Sequence, residues 1–491
     1  MNGPSALFAA GSPPRPQAET GGPYRGGTAT TCPEEPAVTA PASAPARPSR
    51  RLLVVSVDAM SVVDVPFART LPHFARILEG SWGGAEAIYP TVTYPNHTSQ
   101  TTGRTADGHG IHANEKVTPG ERTPDWFWDA RDITCPTLFD LAAQKGLTTA
   151  AVGWPVTGWS PSIDIAVPEI WDRTGLEPTL AVLREAASPR GCEYVDRHAH
   201  EIGWDRKHRF GRFNTAVAAD ILRTDAPEVL FVHLVDVDSA RHATGRFTAE
   251  VREAFERVDG WLGEILAALD ETGTAAETDI AIVSDHGHVE VGRVLRANAL
   301  LARQGLVRLD ADGEVSGWDA WVHGCGLTGQ LHLHPEADDT ARERVLALVE
   351  DWVADPEVPV RAFHPLADMH EDYGWSGPFL GILEGVSGTA FQNLWDGRWL
   401  IDRFDPEYEF LLSQHGHLPE QDIQAVFAMT GPSIEPGRRI TRCTVTDEAV
   451  TFAHLLGLEI PDADGRVVEE ILRPAPVHQD AVGQEAVPQE A

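Results

Sequence analysis

The chain has 491 residues, with 39 Lys and Arg against 73 Asp and Glu, a formal charge of −34. A field of that sign repels nucleic-acid backbones and anionic membrane surfaces, which sets both aside as expected partners. Hydrophobic residues make up 42% of the chain, enough for a full core, and no stretch approaches the roughly 18 uninterrupted apolar residues of a membrane span.

Residues 1–49 hold ten of the 36 prolines, mixed with Ala, Gly, Ser and Thr. Such a composition cannot bury enough apolar surface to offset the entropy of ordering, so this extension is expected to be disordered. Met1 to Ala10 lacks a basic region and a long apolar run, so a cytoplasmic location is expected. The five cysteines are widely spaced and form no C-x-x-C, which argues against a zinc–thiolate site or a disulfide framework.

Arg51 to Val57 is a short, β-branched run that ends in Asp58, the pattern of a strand buried on both faces. A short helix is expected over Thr70–Leu78. The next stretch, Pro90-Thr91-Val92-Thr93-Tyr94-Pro95-Asn96-His97, places a threonine between prolines, which predicts a hydroxyl fixed at a loop apex rather than inside a helix. A helix from about Thr134 to Lys145 and a strand over Thr148–Val152 form a βα repeat. Helical patterns follow at Leu176–Ala187 and Gly211–Arg223, then a strand at Val229–Val235 leading into Asp238. In Ala249–Leu269, Val251, Phe255, Val258, Leu262, Ile265 and Leu269 recur at spacings of three and four, one broad apolar face. Ile280–Ser284 is a further buried strand and ends in Asp285-His286-Gly287-His288.

From about 290 to 410 this alternation is lost, apart from a helix near Ala341–Ala354, and an inserted cap is expected. Ser413-Gln414-His415 then precedes a strand at Ala425–Met429 and a helix around Glu448–Leu456. The tail from 474 to 491 is expected to be disordered. Residues 50–473 thus read as an α/β catalytic domain, with ligands at the carboxyl ends of its strands.

A fixed hydroxyl needs an activator, and the carboxylate and imidazole residues at Asp58, Asp238, His242, Asp285, His286 and His415 supply the donor types of divalent-ion sites. Two such ions lower a hydroxyl's pKa and clamp a transferring phosphoryl group. On these grounds the chain reads as a two-metal phosphoryl-transfer hydrolase with Thr93 as nucleophile, acting on a small phosphorylated substrate.

The segments Val57-Asp58, Thr91 to His97, Gly108-His109-Gly110-Ile111, Asp238 to His242, Ser284 to Gly287 and His415-Gly416, in this order, resemble the nucleotide pyrophosphatase/phosphodiesterase branch of the alkaline phosphatase superfamily. The resemblance implies an alkaline-phosphatase-like sandwich with a mostly parallel central sheet. It implies one metal on Asp58, Thr93, Asp285 and His286 and another on Asp238, His242 and His415, with zinc the usual ion and manganese compatible with the donors. It also implies a phosphothreonine intermediate and a catalytic side-chain amide at Asn114. His288 and His417 are expected to support ligands rather than bind metal.

Two departures bear on substrate. Family members specific for nucleotides sandwich the base between an aromatic after the nucleophile, here Tyr94, and a tyrosine whose position is taken by His233. The usual Gly before the motif histidine is Arg241, positioned to pair with a second anionic group of the substrate or with Asp236. Rival readings with the same metals are a phosphomonoesterase, a phosphonate C–P hydrolase and a phosphomutase, and one of another class is a non-catalytic metal-binding interaction protein.

Overall fold

Short apolar runs pair side by side because each is buried on both faces and must satisfy its backbone through neighbours. In the computed structural model, which describes residues 51–173, 179–202, 208–419 and 423–474, seven strands build the central sheet, six of them such runs. We number them β1 (Arg51–Val57), β2 (Ser81–Ala85), β3 (Thr149–Val152), β4 (Ile165–Val167), β5 (Val229–Leu234), β6 (Thr278–Val283) and β7 (Ala425–Thr430). The order is β2-β7-β6-β1-β5-β3-β4, with β7 alone antiparallel to its neighbours. The expected disordered segments, 1–49 and 474–491, lie outside the described residues apart from Pro474.

Alternate residues of β1 enter opposite cores. Leu53, Val55 and Val57 join the cluster under the helices His208–Thr224 and Ala249–Thr272, while Leu52 and Val54 join the one that includes Val445–Leu456. The sheet is therefore covered on both faces, an α/β sandwich. The Ala249–Thr272 helix buries the whole predicted stripe, starts on a Thr248 cap to the Val251 N–H, and ends where Gly273 turns left-handed at φ 73°.

Two elements carry little sequence signal. β2 reads Ser-Trp-Gly-Gly-Ala, and its glycines are needed because a Cβ at Gly83 would stand 2.6 Å from Ile440 and one at Gly84 2.3 Å from Gln424. The Pro189–His198 helix buries only Gly191, Tyr194 and Val195, too few for a visible apolar face.

Thr93 differs from the expectation. It opens a ten-residue helix, Thr93–Thr102, rather than sitting at a loop apex. Pro95 is tolerated because the first-turn N–H groups have no intrahelical partner anyway.

Residues 290–410 add no strand to the central sheet. They form a four-stranded antiparallel sheet in the order Ala320–Cys325, Thr328–Leu333, Gly381–Gly385, Val360–Pro365. The Asp339–Ala354 helix buries Val345, Val349 and Trp352 in a separate core with Trp321, Leu383 and Trp395. At the foot of this region Val289–Glu290 pairs antiparallel with Ser413–Gln414, which brings the chain leaving β6 beside the chain returning toward β7.

Candidate functional site

Sheet topology gathers the site. β5, β1 and β6 are adjacent and parallel, so Asp58 after β1, Asp238 after β5 and Asp285 after β6 emerge at the same sheet edge. Open α/β sheets place their ligands at that edge.

Asp58, Asp285 and His286 form one cluster, their ligand atoms all within 4.8 Å of one another. His286 Nε2 lies 3.0 Å from Asp285 Oδ2, 3.6 Å from Asp58 Oδ1 and 3.2 Å from Thr93 Oγ1. Asp58 Oδ1 and Asp285 Oδ2 are buried without a hydrogen-bond partner. Buried carboxylate oxygens are not left bare without cause, and two aimed at one spot beside a hydroxyl fit a cation held among them. Burial together with the charges of Asp285 and Asp238 pushes the Asp58 carboxyl well above its ordinary range. Burial opposes the protonated form of His286, yet Asp285 and Asp58 raise it to about 9. Both shifts report a negative hole that a divalent ion would fill.

The second cluster comprises Asp238, His242, His288 and His415. Asp238 and His242 sit one turn apart on the Asp236–Thr244 helix, with His242 Nε2 3.1 Å from Asp238 Oδ1. His288 was expected to stand behind the ligands, and it instead lies within the cluster, its Nε2 2.9 Å from the same Asp238 oxygen. Ser413 orients both rings. Its carbonyl accepts from His242 Nδ1 at 2.9 Å. Its hydroxyl donates to the Arg241 carbonyl at 2.8 Å, so it accepts from His288 Nδ1 at 2.9 Å. With both Nδ1 protons so placed, both Nε2 atoms turn toward Asp238, as metal-binding imidazoles are held. His415 stacks on His286 at 4.0 Å and faces His242, standing between the clusters. One signal for His288 was available in the sequence: in the extended stretch after β6, residues i and i+2 share a face, so His286 and His288 point the same way.

Asn114 accepts from the Tyr94 N–H through Oδ1 at 2.8 Å, which leaves its Nδ2 as the donor end beside the start of the Thr93 helix. His97 lies beneath Thr93, donating from Nδ1 to the Thr93 carbonyl at 2.9 Å, and burial pushes it down to about 3, so it stays neutral. His109, His112 and His417 lie outside both clusters.

The three residues expected to touch substrate are all sealed in. Tyr94 is fully buried against Trp126 and Trp128 and donates its hydroxyl to Glu169 Oε1 at 3.1 Å, so neither ring face is open for stacking. His233 is equally buried, bridging Asp58 Oδ2 at 3.0 Å and Glu169 Oε2 at 2.7 Å. Burial disfavours its charge, but Glu169 and Asp58 outweigh this and hold it protonated, a clamp on Asp58 rather than a base platform. Arg241 reaches neither solvent nor Asp236; it pairs with Asp64 Oδ2 at 2.6 Å, and Arg257 is the cation near Asp236, at 3.7 Å. The long Arg241 side chain is spent on an internal carboxylate.

Residues 52–380 match the type I phosphodiesterase / nucleotide pyrophosphatase family. Human ectonucleotide pyrophosphatase/phosphodiesterase family member 1 is 23% identical over 211 residues, 41% of this chain and 19% of that protein. Mouse bis(5'-adenosyl)-triphosphatase enpp4 is 25% identical over 257 residues, 50% of this chain and 48% of that protein. The matched segment thus spans about a fifth to a half of these relatives. In fold, the chain is similar to an inactive murine ectonucleotide pyrophosphatase/phosphodiesterase 5 in complex with AMP, with a TM-score of 0.59 at 18% identity over 86% of this chain and 100% of that one. The human counterpart gives 0.61 at 18%, over 87% of this chain and 100% of that one.

Proposed function

The chain belongs to the type I phosphodiesterase / nucleotide pyrophosphatase family, and from this we propose that it is a two-metal hydrolase cleaving phosphodiester or nucleotide pyrophosphate bonds through a phosphothreonine on Thr93. The observation that carries the reading is the Thr93 hydroxyl, 3.2 Å from His286 Nε2 and beside two orphaned buried carboxylate oxygens, with the four-residue cluster next to it.

Asp58, Asp285 and His286 would hold one divalent ion with Thr93, and Asp238, His242, His415 and His288 a second; zinc suits this oxygen and imidazole set, and manganese is compatible with it. Such ions lower the pKa of a hydroxyl and neutralise charge on a transferring phosphoryl group. Thr93 gives up its proton and attacks phosphorus, and the bond to the departing alcohol or phosphate breaks with its electron pair on the leaving oxygen, which takes up a proton from water when it leaves as an alcohol. Water later hydrolyses the phosphothreonine and restores the Thr93 hydroxyl. Asn114 Nδ2 and the Thr93 N–H at the helix start donate to the phosphoryl oxygen as its charge grows, a donor of this kind being worth roughly 3 kcal/mol.

Mouse enpp4 is a bis(5'-adenosyl)-triphosphatase and the murine structural neighbour holds AMP, but closure of Tyr94 and His233 favours a substrate held elsewhere than between those two side chains. The test compares kcat/KM for bis-p-nitrophenyl phosphate, p-nitrophenyl phosphate and the p-nitrophenyl ester of thymidine 5'-monophosphate on metal-loaded protein. Both diesters should exceed the monoester about tenfold or more, with no large advantage for the thymidine ester; a dominant monoester activity makes the protein a phosphatase. Thr93→Ala should abolish turnover while two metals per chain remain, and Asn114→Ala should lower kcat about a hundredfold.

A further inference from the structure

Arg246 is set apart in a chain of such negative charge. Its Nε is buried without a hydrogen-bond partner and it forms no close ion pair among the described residues, Glu290 and Asp64 being the carboxylates whose charge reaches it. Its backbone N–H donates to Glu290 Oε1 at 2.7 Å, and its guanidinium lies 4.7 Å from the centre of the exposed Phe247 ring. Glu290 is already engaged, its other oxygen 3.3 Å from Arg403 Nη1. Arg241, five residues earlier in the helix that Gly245 ends, illustrates the usual outcome in this protein: its charge is matched by Asp64.

Arg246 lines an open groove of about 500 Å³ with Glu290, Gly292, Gly388, Arg403 and Phe404, the last 95% exposed. None of the groove's lining residues belongs to the second cluster, but the two are joined through the backbone. The groove's Val289–Glu290 wall follows His288 directly and pairs with Ser413–Gln414, which precedes His415. Gly245, next to Arg246, ends the helix that carries Asp238 and His242.

In-line displacement fixes what must lie on that side. With Thr93 beside the Asp58 cluster and His415 stacked on His286, an in-line attack by Thr93 would send the departing oxygen toward Asp238, His242, His288 and His415, and whatever is attached to it beyond them. We propose that the Arg246 groove is a leaving-group subsite for an anion, a carboxylate or phosphate, so that the preferred diesters are those whose departing alcohol carries a second negative charge. The proposal rests on the phosphodiesterase reading above. An unpaired guanidinium offers such an anion two parallel N–H donors, and Phe404 at the groove wall covers the apolar part of the same alcohol.

The test uses a near-isosteric pair on the full metal-loaded chain: methyl 3-carboxyphenyl phosphate and methyl 3-carbamoylphenyl phosphate, which differ only in the charge on the leaving phenol. Wild type should prefer the carboxylate about tenfold in kcat/KM, Arg246→Gln should bring that ratio to about one, and Arg246→Lys should recover part of it. An equal ratio in all three proteins, or no preference in wild type, overturns the subsite and leaves the phosphodiesterase reading standing. If neither ester is hydrolysed, it is the phosphodiesterase reading that fails, and calorimetry then decides the groove. Tighter binding of 3-hydroxybenzoate than of 3-hydroxybenzamide, lost in Arg246→Gln, supports the anion site, whereas equal binding of the two overturns it.

Discussion

His233 Nε2 lies 3.0 Å from Asp58 Oδ2, and the opposite ring nitrogen lies 2.7 Å from Glu169, so a buried imidazole fastens the carboxylate at the end of the central strand. A partner of this kind fixes the direction of a metal-binding oxygen, and its loss typically costs ten- to a hundredfold in metal affinity. His233→Phe should weaken binding of one ion by about that factor, read by chelator competition. Its effect on kcat/KM should be the same for nucleotide and non-nucleotide diesters. A selective loss for the thymidine ester would return His233 to a role in base stacking.

His288 shares one oxygen of Asp238 with His242, and Ser413 orients both rings. In His288→Ala the second ion should bind about ten- to a hundredfold more weakly while the ion on Asp58, Asp285 and His286 is retained. Cobalt substitution reads this directly, because the visible bands of the second site should change in position and intensity. A wild-type spectrum and affinity would reduce His288 to packing.

Arg241 and Asp64 form a buried pair at 2.6 Å, and removing one member strands the other. Arg241→Met should cost about 3–5 kcal/mol of stability, measured by denaturant unfolding, with no selective loss of KM for anionic esters. A selective KM effect without destabilisation would reinstate Arg241 as a substrate contact.

Glu448 is fully buried, and neither carboxyl oxygen has a hydrogen-bond partner. Burial pushes it well above its ordinary value of 4.5, and the charges of Asp447 and Asp285 add to the rise. The folded chain keeps this proton where the unfolded chain has lost it, so stability falls as pH rises above about 4.5, by about 1.4 kcal/mol per unit until the folded group ionises. Glu448→Gln removes that slope. The variant should melt on the order of 2–4 °C above wild type at pH 8 and show no advantage at pH 4.

What the sequence made legible was the part governed by local pattern. Asp58, Asp238 and Asp285 follow short β-branched apolar runs, the pattern of doubly buried strands, and a carboxylate and imidazole four apart mark one helical face. What it concealed depends on segments distant in the chain. The ring orientation of His288 is set by Ser413, 125 residues later. The slot at Tyr94 and His233 is filled by Trp126, Trp128 and Glu169, whose meeting no local spacing announces. The helical start at Thr93 was hidden by Pro95, a helix breaker everywhere except the first turn.

β7 is the lone antiparallel strand, and β2 is joined to the sheet through β7 alone. During synthesis, β2 and β6 therefore wait with bare edges until residues 425–430 have emerged, long after the rest of the sheet can pair. A ribosome that stalls within the cap releases a chain with two open strand templates, the form most prone to edge-to-edge aggregation.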